Sequence, residues 1–200
     1  MEIHGLRDVG CFAKLLRGAL SAEECDALIA KANARTWEDA LIQGEYGQVL
    51  NKDVRDCQRV MFLDEEEAAK ILAKIQDHIP QTMYQGTYKG INPMLRFLKY
   101  GPGNYFRPHC DLTYTDKQGH ESMVTVQIYL NEEFEGGETT FYDCEEKAAY
   151  VHKPERGDIL LFDQDIEHSG DDVISGIKYS MRTELMYEMR ENIHEMGHDN

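Results

Sequence analysis

Apolar side chains recur at helical spacing in two stretches of the first half of the chain. Residues 22–34 follow the capping-box pattern Ser21-Ala-Glu-Glu24 and predict an amphipathic helix. A second helix is predicted to begin after the capping residue Asp64 and to end at Pro80. Proline ends a helix because it lacks a backbone donor and its ring clashes with the preceding turn. Between the two helices, residues 35–63 are less regular and lead into a strand.

The second half of the chain is patterned as short strands. From Met94 onward, β-branched and aromatic runs are separated by glycine and proline. Residues 81–92, just before this change, are polar and contain glycine, so they are predicted to form a loop. The predicted strands are Leu95–Tyr100, Tyr105–Asp111, Met123–Leu130, Thr139–Tyr142, Tyr150–His152, Asp158–Phe162 and Tyr179–Tyr187. Short strands at this spacing are typical of a sandwich or jelly-roll barrel, so the predicted fold class is α+β with a mainly β core.

Length and charge narrow the functional classes. A chain of 200 residues fits one domain with a sizeable core. Lys and Arg total 21 against 37 Asp and Glu, and the formal net charge of −16 argues against nucleic acid as a partner. The acidic surface either favours a neutral or basic substrate or serves only solubility, and composition leaves both interpretations open.

The cysteines and the apolar runs bear on the compartment. Five cysteines are scattered along the chain without a CxxC pair, which is typical neither of a disulfide framework nor of a zinc knuckle. They are Cys11, Cys25, Cys57, Cys110 and Cys144. No apolar run is long enough to span a membrane, and the first residues lack an apolar signal core. We therefore expect reduced thiols, a cytoplasmic location and no membrane partner.

One stretch, Tyr100-Gly-Pro-Gly-Asn-Tyr-Phe-Arg-Pro-His109-Cys-Asp111, carries a candidate metal site. In an extended segment residues two apart point to the same face, so His109 and Asp111 can bind one ion together. Two ligands leave a site incomplete, and His168 is the best candidate for the third. Two histidines and one carboxylate, with other positions open, are the arrangement typical of non-haem Fe(II) oxygenases.

Several motifs occur in order around these three residues. They are Phe106-Arg-Pro-His109-Cys-Asp111, Gly136-Gly137-Glu-Thr-Thr-Phe-Tyr142, Lys153-Pro-Glu-Arg-Gly-Asp-Ile-Leu-Leu-Phe162, His168-Ser-Gly170 and Gly176-Ile-Lys178-Tyr. Together they resemble the prolyl-4-hydroxylase-like branch of the 2-oxoglutarate, Fe(II)-dependent oxygenases over roughly Met94 to Tyr187.

The resemblance implies a double-stranded β-helix, a distorted jelly roll with supporting N-terminal helices. Residues 1–200 would form one oxygenase domain. Within it, residues 1–92 would be the helical support layer with substrate-side loops, residues 93–189 the catalytic core and residues 190–200 a polar tail. The resemblance also implies that His109, Asp111 and His168 are the metal ligands and catalytic residues.

The implied cofactors are Fe(II), the co-substrates 2-oxoglutarate and O2, and, as a further candidate, ascorbate. Lys178, ten positions after His168, matches the basic residue that holds the distal carboxylate of 2-oxoglutarate. Arg182 shares the face of Lys178 if the stretch is a strand, and it is the rival anchor. Tyr100 corresponds to a tyrosine that hydrogen-bonds the co-substrate, or it is a core residue. Thr125 alternates with other polar residues on one strand face, so it is a candidate pocket residue.

The implied activity is hydroxylation of a prolyl residue in a peptide or protein, with oxidative decarboxylation of 2-oxoglutarate to succinate and CO2. Arg55, Arg59 and Arg182 are candidate substrate contacts. Three alternatives remain open: a hydroxylase of a free amino acid or small metabolite, a non-catalytic metal-binding jelly roll, and a cupin-type metal enzyme that uses no 2-oxoglutarate. The oligomeric state is not indicated.

A competing motif is His194-Glu-Met-Gly-His198, which has the HExxH spacing of zinc proteases. That chemistry needs both histidines on one face of a buried helix. Here the motif contains glycine and has little apolar support around it, so we do not assign it to a metal site.

Overall fold

The computed structural model describes Ile3 and residues 11–190. Helix α1 spans Ala22–Asn33, and the predicted capping box is present, since Ser21 and Glu24 each accept a hydrogen bond from the other's backbone N–H. Helix α2 spans Glu65–Ile75, with the Asp64 side chain accepting from the backbone of Glu67. Both helix predictions are confirmed, although α2 gives way to a short 3-10 turn, Gln76–His78, before Pro80.

The strands make two facing antiparallel sheets and two small hairpin-like pairs. In chain order they are β1 Ala13–Leu16, β2 Glu38–Asp39, β3 Ile42–Gly44, β4 Gly47–Val49, β5 Arg55–Asp56, β6 Gln58–Leu63, β7 Thr82–Met83, β8 Gly86–Ile91, β9 Met94–Tyr100, β10 Tyr105–His109, β11 Glu121–Tyr129, β12 Phe134–Gly136, β13 Thr139–Tyr142, β14 Ala148–His152, β15 Ile159–Asp163, β16 His168–Gly170, β17 Val173–Gly176 and β18 Lys178–Met189. The large sheet has the order β1-β15-β11-β18-β9-β6-β2, with β8 also paired to β18 and β7 to β8. The small sheet has the order β14-β13-β16-β10-β5, and β12 pairs with β17 and β3 with β4.

The large sheet has a different partner on each face. Alternate residues of a strand point to opposite faces, so on β15 Ile159 and Leu161 join the cluster that contains the helices' apolar stripes. Leu160 and Phe162 point the other way and pack with Phe141 of the small sheet. The helices therefore cover one face of the large sheet, and the small sheet covers the other. The predicted α+β fold with a double-stranded β-helix core is confirmed.

The prediction of a polar loop over residues 81–92 is wrong. This segment contains β7 and β8, which turn at Tyr84 in the left-handed region with φ of 51°. Strand β8 pairs with the second half of β18, for example Tyr88 with Tyr187. Its own sequence is polar and glycine-containing, so the pairing with an apolar neighbour, rather than local propensity, makes it a strand.

The segment before residue 93 also contributes more than a support layer. Strands β1 and β6 from this segment belong to the large sheet, and β5 lies at the edge of the small one. The irregular stretch 35–63 thus holds several short strands, ending in the strand that its pattern predicts. None of the helices in the described ranges is long and apolar enough to cross a membrane. The predicted polar tail beyond Arg190 and the HExxH motif at 194–198 lie outside the described residues.

Candidate metal centre and co-substrate pocket

Two neighbouring strands of the small sheet present the candidate ligands. His109 ends β10 and His168 begins β16, and the two residues are direct partners across the antiparallel pair. Asp111 lies just beyond β10, where its backbone N–H donates to the carbonyl of Gln164 at 3.0 Å. Nε2 of each histidine lies 3.9 Å from an Asp111 carboxylate oxygen, and one ligand atom from each residue falls within 4.8 Å of the others. The structure therefore brings together three residues that lie up to 59 positions apart in the sequence.

Backbone carbonyls fix the orientation of both imidazole rings. Nδ1 of His109 lies 2.8 Å from the carbonyl oxygen of Arg107, and Nδ1 of His168 lies 2.9 Å from that of Ile166. A carbonyl only accepts, so each Nδ1 carries the proton and each Nε2 presents its lone pair towards Asp111. Two neutral imidazoles and a carboxylate are a donor set that fits Fe(II).

The protonation states also suit metal binding. Burial lowers the pKa of His109 to about 3, and the positive charge of a protonated His168 would add to this effect. Burial likewise lowers the pKa of His168, although Asp111 opposes the shift. Burial would raise the pKa of Asp111, but the charges of Arg182 and the two histidines outweigh it and hold that pKa below its ordinary value. At neutral pH the site therefore offers two neutral histidines and one ionised carboxylate.

Aromatic rings and hydrogen bonds hold the three side chains in place. Phe106 stacks on His109 with ring centroids 3.4 Å apart, and Phe162 meets His168 edge-on at 4.8 Å. Thr125 is fully buried, and its hydroxyl donates to Oδ2 of Asp111 at 2.5 Å. Thr125 is not among the residues that line the pocket, so its contact is with the carboxylate.

Gln164 supports this arrangement and was not singled out from the sequence. It is buried, its backbone carbonyl accepts from Asp111, and its side-chain amide lies 3.4 Å from the hydroxyl of Thr125. Ser122 donates to its side-chain carbonyl at 2.9 Å. The only local signal is a polar residue directly after a buried strand, which many turns share, so a single sequence could not reveal this role.

A pocket extends from the metal centre to Lys178. Lys178 opens β18 opposite Tyr100 of β9 and is only 3% exposed. Its Nζ donates to the carbonyl of Gly137 at 2.6 Å and lies 5.4 and 5.5 Å from the ring centroids of Tyr100 and Tyr129. Burial lowers the pKa of Lys178 to about 8, against the opposing charges of Asp171 and Glu138. Within the described ranges no carboxylate forms an ion pair with Lys178, so this cation is available to an anionic ligand.

The pocket is positively charged within an acidic protein. Arg55, Lys178 and Arg182 all line it, and its lining contains no acidic side chain among the residues that the structure describes. Asp111 lies behind this lining, in an ion pair with Arg182. Since the whole chain has a formal net charge of −16, this local excess of cations indicates a site for an anion.

The other predicted site residues fall in different places. Tyr100 lines the pocket, and burial raises its pKa far above the ordinary value, so the phenol keeps its proton. Arg55 also lines the pocket; its guanidinium lies 4.4 Å over the ring of Phe106, and Nε donates to the sulfur of Cys57 at 3.3 Å. Arg59 is not part of the lining. It donates to Glu38 at 3.1 Å and to Gln48 at 3.2 Å, which ties β6 to β2 and to the β3–β4 hairpin.

Residues 95–183 match the family model described as the 2OG-Fe(II) oxygenase superfamily. This span contains the three candidate ligands and Lys178. The part of the chain that holds the site is therefore similar to 2OG-Fe(II) oxygenases, and the relatives it matches are prolyl 4-hydroxylases.

Three relatives illustrate the likeness. Prolyl 4-hydroxylase 1 of Arabidopsis thaliana is 28% identical over 187 residues, covering 83% of this chain and 65% of that protein. This chain thus spans a little under two thirds of that relative's length. A prolyl-4-hydroxylase of Pseudomonas putida superposes with a TM-score of 0.66 at 20% identity, over 95% of this chain and all of that one (100%). A prolyl hydroxylase of Trichoplax adhaerens, in complex with a hypoxia inducible factor peptide fragment, has a TM-score of 0.67 at 18% identity, over 92% and 87% of the two chains. The two structures share the fold.

Proposed function

We propose that this protein is an Fe(II)- and 2-oxoglutarate-dependent hydroxylase that acts on prolyl residues of a peptide or protein. The observation that carries the proposal is the convergence of His109, Asp111 and His168 at one end of a pocket whose other end holds the buried cation of Lys178. The three ligands would hold Fe(II), and Lys178 would neutralise the distal carboxylate of 2-oxoglutarate.

The bound iron, 2-oxoglutarate and O2 would supply the oxidising power, with decarboxylation to succinate and CO2 coupled to hydroxylation of an unactivated C–H bond. The chain supplies geometry and a dry environment. Phe106 and Phe162 pack against the imidazoles, and Thr125 orients the carboxylate of Asp111. Tyr100, with its phenol protonated, is a donor that would hydrogen-bond the co-substrate.

A peptide substrate is supported by three observations. The matched relatives are prolyl 4-hydroxylases, and one of the superposed structures contains a peptide fragment. Directly after Asp111 the chain exposes two large apolar side chains, Leu112 at 63% and Tyr114 at 44%. Apolar surface beside a metal centre suits an extended peptide that lies across the pocket mouth.

The test is a product assay with recombinant protein, Fe(II), 2-oxoglutarate, O2 and ascorbate. Proline-containing peptides and free proline are incubated in parallel, and mass spectrometry follows the gain of one oxygen atom together with succinate. We expect oxygen gain on a peptide, dependent on 2-oxoglutarate and abolished in His168→Ala. Oxygen gain on free proline alone would favour the small-metabolite alternative, and metal binding without succinate formation would contradict an oxygenase.

We also propose that the activity resides in one catalytic domain in the cytoplasm. Cys25, Cys57, Cys110 and Cys144 are free thiols, which suits a reducing compartment and an Fe(II) centre. Fractionation of cells that express the tagged protein tests the location, and recovery in a secreted fraction would contradict it.

A further inference from the structure

We propose that Arg182 is a charge switch in this site, and the inference rests on the oxygenase function proposed above. Without metal, the guanidinium pairs with Asp111. When a metal ion takes that carboxylate, Arg182 is released to bind the carboxylate of the 2-oxo acid that lies nearest the metal. Arg182 thus opposes the binding of metal alone and favours the binding of the co-substrate.

The position of Arg182 supports this role. It lies four residues after Lys178 on β18, so the two side chains point to the same face, and both line the pocket. Lys178 is at the end enclosed by Tyr100 and Tyr129, whereas Arg182 adjoins Asp111 at the metal end. A dicarboxylate carries two negative charges, and the pocket offers one cation at each end.

The partners of Arg182 show why its charge can be redirected. Its Nη1 donates to Oδ1 of Asp111. Its Nη2 is 3.7 Å from Glu184, but that carboxylate is already held by Arg96 at 2.5 and 2.7 Å and by Asn92 at 2.8 Å. Asp111 is therefore the principal partner of Arg182, and it is also the one negatively charged candidate ligand of the metal. When a metal competes for Asp111, the planar guanidinium can present two parallel donors to a ligand carboxylate.

This arrangement makes removal of Arg182 act in opposite directions on two ligands. The affinity for a metal ion rises, because a competing positive charge next to Asp111 disappears. The affinity for a 2-oxo acid falls, because a donor to its carboxylate disappears. A residue that merely supported the fold would weaken both.

The experiment is calorimetric titration, with redox-inert Mn(II) in place of iron. Mn(II) is titrated alone, and then 2-oxoglutarate and 2-oxopentanoate are titrated into the Mn(II)-loaded protein. The second ligand has the same carbon chain without the distal carboxylate. In Arg182→Gln we expect Mn(II) to bind as tightly as in the wild type or more tightly. We expect both 2-oxo acids to bind about 10- to 100-fold more weakly, which is the change in affinity expected when a hydrogen bond to a charged group is lost.

Two further variants sharpen the assignment. Lys178→Met should weaken 2-oxoglutarate and leave 2-oxopentanoate unchanged, because only the former has a distal carboxylate. Arg182→Lys keeps the charge but loses the planar fork, so Mn(II) binding should stay at the wild-type level while both 2-oxo acids weaken less than in Arg182→Gln. Should Arg182→Gln not fold, Arg182→Lys decides against the wild type: unchanged Mn(II) binding with weaker binding of both 2-oxo acids supports the switch, and weaker Mn(II) binding or unchanged binding of 2-oxopentanoate overturns it.

Arg17→Gln is the matched control. Arg17 forms an ion pair of 2.9 Å with the buried carboxylate of Asp158, and neither residue lines the pocket. It should change neither ligand's affinity. Weaker Mn(II) binding in Arg182→Gln, or unchanged binding of 2-oxopentanoate, would overturn the switch. A wild-type protein that binds Mn(II) but neither 2-oxo acid would instead remove the proposed function itself.

Discussion

Lys178 illustrates how a single side chain trades stability for binding. A lysine that is only 3% exposed and has no ion-paired carboxylate in the described structure is expensive to keep charged, because burial removes its hydration. Its folded-state pKa of about 8 lies below the ordinary value of 10.5. The unfolded state therefore holds the proton more strongly, and the destabilisation is fully present below pH 8. It is relieved as pH rises from about 8 towards 10.5.

We accordingly expect Lys178→Met to raise the free energy of unfolding at pH 7 by about 2 kcal/mol. The pKa shift corresponds to about 3 kcal/mol, and the carbonyl of Gly137 loses a hydrogen bond worth about 1 kcal/mol. Urea denaturation of the metal-free protein at pH 7 and pH 9.5 measures the difference. The gap between the variant and the wild type should narrow at the higher pH, and a gap that widens would contradict this account.

The same titration governs co-substrate affinity. Above pH 8 the free pocket loses the charge of Lys178, so the affinity of the Mn(II)-loaded protein for 2-oxoglutarate should fall by up to about tenfold per pH unit. Calorimetry between pH 7 and 9.5 measures this fall. The affinity ratio to 2-oxopentanoate cancels changes at the metal end, and a constant ratio would show that Lys178 is not the distal anchor.

His168 is the residue on which the candidate metal centre depends most directly, because it is the one ligand outside the His109–Asp111 motif. We expect His168→Ala to lower Mn(II) affinity by at least about 100-fold, since a complete donor is lost, and to abolish turnover. Calorimetry and the succinate assay measure the two effects. Tyr142→Phe is the control. It removes a hydroxyl that contacts Ser169, the residue after His168 on β16, and it should retain metal binding.

At the scale of elements, sequence patterns within one segment predicted the structure better than features that depend on distant residues. The helix caps at Ser21 and Asp64 and the His109–Asp111 spacing are local patterns, and each occurs in the structure as predicted. Strand β8 was missed because its pairing with β18 is decided by residues about 100 positions away. For the same reason the sequence did not reveal that Gln164 supports Thr125, or that Arg59 is held by Glu38 outside the pocket lining.

The β12–β17 pair lies beside Lys178, whose Nζ donates to the carbonyl of Gly137, the residue directly after β12. Gly136 ends β12 with φ of +72°, and a Cβ there would lie 2.4 Å from the carbonyl oxygen of Asp172. Gly136→Ala is therefore expected to destabilise the protein by about 1–3 kcal/mol through backbone strain and to weaken 2-oxoglutarate more than Mn(II). Thermal unfolding and calorimetry measure the two effects. Gly90→Ala, which meets no atom within 4 Å, is the control.

At the scale of the whole molecule, the large sheet lies between the helical layer and the candidate metal centre. The helices pack on one face, and the metal centre lies on the side of the small sheet. Changes in the helical layer should therefore alter the stability of the protein without altering its ligand affinities, whereas changes on the opposite face should alter both.

Ile71→Ala in α2 tests this separation. Ile71 is 2% exposed, so its truncation should cost about 2–5 kcal/mol. Affinities for Mn(II) and 2-oxoglutarate, measured well below the unfolding temperature, should stay within twofold of the wild type, about the variation that 0.4 kcal/mol produces. A large loss of metal affinity would show that the two faces are coupled.

The direct opposition of His109 and His168 on neighbouring strands has a consequence for the life of the protein in a cell. A metal ion bound by residues of both β10 and β16 would stabilise the pairing of these two strands. The supply of iron is therefore expected to determine how often the strands separate. Protease digestion with and without Mn(II) would expose that dependence. During iron starvation we expect cells to degrade the protein faster, which would make its abundance a record of their metal status.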